Sequence, residues 1–389
     1  MRAHATGQRH PHHLHIGEFL QHHVFPFIKK NAVLFISLFA AAITACIVPP
    51  NKAYLDYFDW KTLTCLFCVL AVVCALKNIR FFFFLAQKIV RAFKNSRACV
   101  LALAYVTFIG SMLIANDMAL LTFLPLGYFV LSSTGKKKYM AFTFIIQNIA
   151  ANLGGMLTPF GNPQNLYLYN EFSIPTGDFI LTMLTPFLIS VALITLSCFL
   201  FVKKEALEIE AEKICLPVWR TIVYALLFTL SIVIVFRAIP FWIGLIVIPI
   251  VLLFLDRKAL GKVDYGLLLT FMAFFIFSGN MSNIPQIQRL FGYLMDKNAL
   301  LVSTFSCQFI SNVPSAILLS QFTDSYREIL LGVNIGGCGT LISSLASLIT
   351  FREYTKHDKG GTKKYLLLFS AFNFAFLAIL LGACILLTL

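Results

Sequence analysis

Apolar runs long enough to enter or cross a bilayer alternate with short polar clusters along nearly the whole chain. The pattern predicts continuous spans over 31–48, 60–76, 179–202, 217–236, 239–255, 265–279 and 364–389. The first of these stops at Pro49-Pro50. Two stretches, 17–30 and RFFFFLAQKIVRAFKNSR at 80–97, set cations against an apolar face, as does 284–296 more weakly. That pattern predicts helices lying in the headgroup region.

Four runs are apolar but interrupted. LIANDMALLTFLPL breaks at Asn116-Asp117 and QFISNVPSAILLSQF at Asn312 and Pro314. The arms of 98–131, roughly 15–17 residues each, are marginal for a full crossing, and the runs 98–131 and 298–321 are expected to be re-entrant helical hairpins. QNIAANLGGMLTPFGNPQNL inside 139–169 and NIGGCGTLISS inside 326–351 are expected to be broken membrane helices. Paired glycines and prolines cannot continue a helix without freeing backbone groups, and in hydrocarbon those groups need partners. Asn152, Gly154, Gly155 and Thr158 recur as Asn334, Gly336, Gly337 and Thr340 at a constant offset of 182 residues. One hairpin and one broken helix, in the same order in each half, predict an internal repeat.

The expected fold is therefore all-α and polytopic, with two inverted repeats. Residues 1–30 form a cytoplasmic tail with an amphipathic lead-in helix, 31–202 the first repeat, 203–238 a charged linker and connecting span, and 239–389 the second repeat. The unpaired span at 217–236 makes the crossings between the copies odd, which inverts one against the other. With the N-terminus inside, 25 of the 31 lysines and arginines fall on inner segments, a strong positive-inside bias. The C-terminus is then outside. A hairpin that crossed twice would leave this parity unchanged.

Composition adds exclusions. Only 12% of residues are charged, against about 25% in soluble domains. The net charge of +14 sits in short loops between spans, so nucleic-acid binding is not its meaning. The ten cysteines lie mostly in apolar runs; Cys65 and Cys68, a CxxC inside a span, read as packing residues ahead of metal or redox ligands, and no disulfide is expected. The His-rich tail (His4, His10, His12, His13, His15) reads as an unstructured segment, with metal capture as the alternative. No cleavable signal peptide is expected, since about thirty polar or mixed residues precede the first long apolar run. No ATP-binding loop, metal-ligand cluster or nucleophile–base pair stands out, so an enzyme is not expected and no cofactor is implied.

The candidate chemistry lies at the interruptions. Half-helix N-termini can hold an anion without lysine or arginine; unwound carbonyls and half-helix C-termini can hold sodium. Asn116, Thr158, Asn162, Asn165, Asn312, Thr340, Ser343 and Ser344 are candidates for binding a small polar solute. Asn116, Asp117, Asn152, Gly154, Gly155, Asn312, Asn334, Gly336 and Gly337 are candidates for a coupling cation, Na+ or H+. Each has a plainer reading: the hydroxyls as interhelical hydrogen bonds, the glycines as close-packing positions, Asp117 as a helix cap. Asp117 is the one acid predicted deep in the membrane.

On ANDMALLTFLPL, ANLGGMLTPFGNPQNL, ISNVPSAI and NIGGCGTLISS, and on the span order, the chain resembles the ion transporter superfamily over about 31–389. That group includes divalent-anion/sodium symporters, citrate–metal permeases, arsenite permeases and a branch of sodium/proton antiporters. The resemblance implies an elevator-type secondary carrier in the plasma (inner) membrane, often a homodimer, with a small anionic solute as cargo. It places Asn116, Asn152 and Gly154-Gly155 at a first cation site, and Asn312, Asn334 and Gly336-Gly337 at a second. The dicarboxylate symporters carry Ser-Asn-Thr at both tips. Here the tips read Ala115-Asn116-Asp117 and Ser311-Asn312-Val313, nearer the arsenite-permease and antiporter branches. A sodium/proton antiporter is the alternative function.

Overall fold

A computed structural model describes residues 32–207 and 214–388. The His-rich tail, the lead-in helix and residues 208–213 of the linker lie outside the described residues. Within them the chain is all helical, in the order α1 (Ala32–Ile47), α2 (Trp60–Asn78), α3 (Phe81–Arg91), α4 (Ser96–Ile114), α5 (Asn116–Ser133), α6 (Met140–Gly154), α7 (Pro163–Glu171) and α8 (Thr176–Phe201). There follow α9 (Val218–Val235), α10 (Phe241–Leu255), α11 (Arg257–Gly261), α12 (Tyr265–Ser282), α13 (Pro285–Ile310), α14 (Asn312–Leu319), α15 (Tyr326–Ile335), α16 (Leu345–His357) and α17 (Thr362–Thr388).

Short polar side chains set the helix starts. Asp59 Oδ1 accepts from the Thr62 N–H at 2.9 Å to open α2, Asn95 Oδ1 from Ala98 at 3.0 Å to open α4, and Asp264 Oδ1 from Leu267 at 2.9 Å to open α12. In α13 the backbone leaves the helical region at Asn298, whose Oδ1 accepts from the Leu301 N–H at 2.8 Å. The break divides an interfacial stretch from the hairpin arm, at the boundary the sequence suggests. The three tryptophans, Trp60, Trp219 and Trp242, stand half-exposed in first turns, where the headgroup region suits them. Large exposed aliphatic and aromatic residues, such as Phe39, Leu200, Leu226, Phe254 and Leu367, give the molecule an apolar outer surface suited to lipid. This is a polytopic helical membrane protein.

One expectation needs correction. The arms of the first hairpin have 19 and 18 residues, and Ser96–Ile114 is long and apolar enough to cross. Asn95 and Thr134 lie farther apart in sequence than the apolar run suggested, because polar residues at each end (Ser96, Arg97, Ser132, Ser133) still take helical geometry. The second hairpin is shorter, its return arm α14 having 8 residues.

Helix contacts fall into two groups. In the first, α1 lies against α12, and α2 against α9, α10 and α11. In the second, α4, α5 and α6 pack together, α13 lies on α15, and α8 and α17 flank α6. The halves exchange contacts reciprocally. Helix α1 meets α12 while α10 meets α2, and arm α5 meets α16 while arm α14 meets α7. Such exchange is what a local two-fold axis produces.

A polar junction of two broken helices

The first break follows from local sterics. At Gly154 a Cβ would collide with the Phe108 carbonyl and reach within 2.7 Å of Ser111 Oγ, so only glycine lets α6 approach α4 this closely. After a single 3₁₀ turn the chain is extended at Thr158 and again at Asn162, and Pro163 opens α7. Pro159 and Pro163 supply no N–H, so fewer backbone donors need partners here. The freed carbonyls are met from within: Asn165 Nδ2 donates to Gly155 O and Met156 O, both at 3.2 Å, and the Asn116 N–H donates to Gly161 O at 3.0 Å.

The second break repeats the device. Gly336 sits against Thr304 O and Cys307 Sγ, where a Cβ would stand 2.8 and 2.9 Å away. The Asn312 N–H donates to Ser343 O at 2.9 Å, as Asn116 does to Gly161. Thr158 Oγ1 donates to Met112 O at 2.7 Å, and Thr340 Oγ1 to Gln308 O at 3.0 Å. At both tips a non-glycine residue is left-handed, Ala115 at φ 67° and Ser311 at φ 75°. Both tip asparagines then accept, through Oδ1, the N–H of the next residue at 2.9 Å.

The two breaks meet side by side. Asn116 Nδ2 donates to Asn152 Oδ1 at 3.1 Å, and Asn152 Nδ2 to Ser344 Oγ at 3.1 Å and Gly337 O at 3.4 Å. From the other side Asn162 Nδ2 donates to Asn334 Oδ1 at 3.1 Å, and Asn334 Nδ2 to Asn165 Oδ1 at 2.6 Å. The pairs Asn152–Ser344 and Asn334–Asn162 exchange under the same 182-residue offset. Asn312 Nδ2 lies beside Gly337, 3.2 Å from where a side chain there would begin. Thus Asn116, Gly154, Asn312 and Gly336, far apart in sequence, are knit into one junction. Its asparagines are all buried.

The hydroxyl candidates divide. Ser344 lies within the junction. Thr158 and Thr340 bind each break to the neighbouring hairpin arm, and Ser343 Oγ donates to Gly337 O at 2.8 Å. All four are engaged by protein in this conformation, Ser344 Oγ also accepting from the Ser347 N–H at 3.2 Å. Sequence reasoning missed Gln308, whose Nε2 donates to Gly336 O at 2.8 Å and Cys338 O at 3.1 Å while Oε1 accepts from the Thr340 N–H at 2.9 Å. It also missed Gln164, whose Nε2 reaches Asn334 Oδ1 at 3.4 Å. The available signal was an amide in an apolar run.

Electrostatically the junction is bare of fixed cations. No lysine or arginine occurs in 98–131, 139–202, 298–326 or 328–351. Helices α5, α7, α14 and α16 all begin at it and bring positive dipole ends. Among the described residues, three acceptor oxygens here are buried without a hydrogen-bond partner: Asp117 Oδ1, Asn162 Oδ1 and Gln164 Oε1. Unpartnered oxygens beside helix N-termini can serve a cation and an anion together.

A multi-pass helical protein whose polar centre is made of paired, unwound helices belongs to the class of membrane transporters. The citrate transporter family's sequence profile matches residues 27–325, and the chain belongs to that family. It is 33% identical over 322 residues to an uncharacterized transporter of Methanocaldococcus jannaschii, covering 82% of this chain and 88% of the relative. It is also 29% identical over 313 residues to the inner membrane protein YbiR of Escherichia coli, covering 77% and 82% respectively. The protein is a membrane transporter of a small solute.

Proposed function

We propose that this chain is a secondary active transporter of a small anion, a carboxylate or oxyanion, driven by sodium or protons across the plasma membrane. The observation that carries the reading is the junction itself: four helix N-termini and a cluster of buried amides converge, and no lysine or arginine occurs in 98–131, 139–202, 298–326 or 328–351. An anion there relies on main-chain dipoles and on a co-bound cation for neutralisation. Asn116, Asn152, Asn312, Asn334 and the Gly154-Gly155 and Gly336-Gly337 turns are the proposed cation ligands, with Asp117 beside them. Asn162, Asn165 and Ser344 are proposed to face the solute, and Thr158, Thr340 and Ser343 to hold the breaks open for it. Two inverted repeats on either side of the odd span α9 are part of this reading, with the N-terminus cytoplasmic and the C-terminus outside. The two helix groups supply a scaffold and a sliding transport domain, with a homodimer as the assembly.

Uptake into proteoliposomes under imposed sodium and pH gradients tests this. Gradient-dependent flux of a small carboxylate or oxyanion is expected, and gradient-independence for every such anion would overturn it. One observation favours a second reading, sodium/proton antiport: the half-buried acid Asp117 has one enclosed oxygen, Oδ1, without a partner. Proton efflux on adding sodium, with no organic solute present, distinguishes the two.

A further inference from the structure

Gln308 lies buried on the first arm of the second hairpin, and its whole side chain is directed at the second break. Its Nε2 stands against three main-chain carbonyls at once: Gly336 O at 2.8 Å, Cys338 O at 3.1 Å and, in its own helix, Thr304 O at 3.3 Å. Its Oε1 accepts from the Thr340 N–H at 2.9 Å. That donor must face an oxygen, so the contact fixes which end of the amide is which. Gly339, at φ 126°, makes the room, since a Cβ there would overlap Gln308 Oε1.

The surroundings of this nitrogen are those of a cation. A primary amide has two hydrogens, yet three carbonyl oxygens converge on it. Carbonyls released where a membrane helix unwinds are ligands for a small coupling ion. An amide nitrogen with its two hydrogens offers the same sign of charge, tethered to the protein.

The first hairpin arm has no such amide. Thr158 and Thr340 correspond under the 182-residue offset, and each donates to a carbonyl of the neighbouring arm, of Met112 and Gln308 respectively. Met112 is therefore the counterpart of Gln308, and a thioether donates nothing. The first break's carbonyls are met instead by Asn165, from beyond the break. The tips differ in the complementary sense: Asp117 follows Asn116, whereas Val313 follows Asn312. One hairpin carries a carboxylate and no arm amide, the other an arm amide and no carboxylate. Among the described residues, the junction's unpartnered oxygens, on Asp117, Asn162 and Gln164, all belong to the first half.

We propose that the Gln308 amide takes the place of a cation at the second break, leaving a single cation position, at the first. The inference rests on the transport reading and narrows it. Asn116, Asn152 and Gly154-Gly155, with Asp117, hold the coupling ion, while the second break is held by its own amide.

The test is saturation binding of radioactive sodium to the purified full-length protein in detergent, counted per chain. Wild type is expected to bind at most about one ion. Gln308→Met copies the first arm and frees the carbonyls; Gln308→Glu sets an oxygen where the nitrogen stood. Each variant should bind about one ion more than wild type. Two ions in wild type, or folded variants that both bind no more than wild type, overturn the proposal. Variants that bind sodium beside a wild type that binds none would uphold the amide's role and overturn sodium coupling, so the two readings fail separately. Should neither variant fold, the wild-type count decides: two overturns the proposal, and one or none upholds it.

Discussion

At the scale of single residues, the junction sets apart side chains that hold its shape from those with capacity to spare. Asn334 does both: its Oδ1 accepts from Asn162 and Gln164 while its Nδ2 donates to Asn165. Asn334→Ala leaves buried amide groups of three neighbours without their partner, so a loss of about 2–3 kcal/mol is expected, read as a lower melting temperature. Asp117 differs, since only one of its oxygens is buried without a partner and its backbone N–H is capped by Asn116. Asp117→Asn is therefore expected to keep the fold but to shift or abolish the pH dependence of transport. A wild-type pH profile in that variant would remove Asp117 from coupling. The tip residues make a third case. Positive φ with extended ψ, 67° and 150° at Ala115, costs a non-glycine residue roughly 1–3 kcal/mol, so Ala115→Gly should stabilise the protein by about 1 kcal/mol, after allowing for the freer unfolded chain. Chemical denaturation at unchanged cooperativity measures this.

At the scale of elements, the broken helices depend on close approach to the hairpin arms. Gly154→Ala would drive a methyl group into the Phe108 carbonyl, which backbone cannot easily relieve. A cost of about 1–3 kcal/mol is expected, with Gly336→Ala lower in the same range because its contacts are longer. The linker supplies a second element-level result. What reads in sequence as a charged connector is partly pinned to the first hairpin. Ser96 Oγ donates to Lys203 O at 2.6 Å, and Glu205 pairs with Lys136 at 2.7 Å and Lys138 at 2.5 Å and accepts from Tyr139 Oη at 3.0 Å. Lys136, Lys138 and Tyr139 hold the Glu205 carboxyl down at about 2. Because that value lies below the ordinary carboxylate range near 4.3, the anchoring is complete above that range and is lost as pH falls from there towards about 2. Glu205→Gln imitates the protonated form at neutral pH. Tryptic cleavage after Lys203 and Lys204 should then quicken several-fold, while flux at saturating solute changes little.

At the scale of the whole molecule, the division into two helix groups is what makes sliding feasible. Ser278 lies in α12, of the first group, and Gln321 in the turn after α14, which packs on α13 and α15 of the second; both line one polar cavity of about 320 Å³. Cysteines at these two positions, in a background freed of the ten native cysteines, should be bridged by a short bis-maleimide. The elevator reading expects the bridge to abolish transport and a reducing agent not to restore it. Undiminished flux in fully bridged protein would count against any relative motion of the groups. Because α1 packs on α12 and α2 on α10, an isolated half is expected to be unstable. Each half's polar breaks find their partners in the other.

The hydrophobic pattern by itself determined the membrane class and the positions of both breaks and both tips, while two of the expected spans, 31–48 and 239–255, form helices of only 16 and 15 residues. It could do so because lipid forces each crossing to announce itself as a long apolar run, and each interruption as glycine, proline or amide. Asn298, read as the boundary of the second hairpin, is where the backbone kinks. The sequence could not say which candidates are engaged by protein and which keep free capacity. Thr158 and Ser344 look alike along the chain, but one reaches an arm of its own half and the other crosses to Asn152. Nor did it reveal Gln308, the left-handed tips, the docked linker or the polar cavity. Each of these depends on groups distant in sequence coming within hydrogen-bond or Coulombic range, and that is fixed only when the two halves pack.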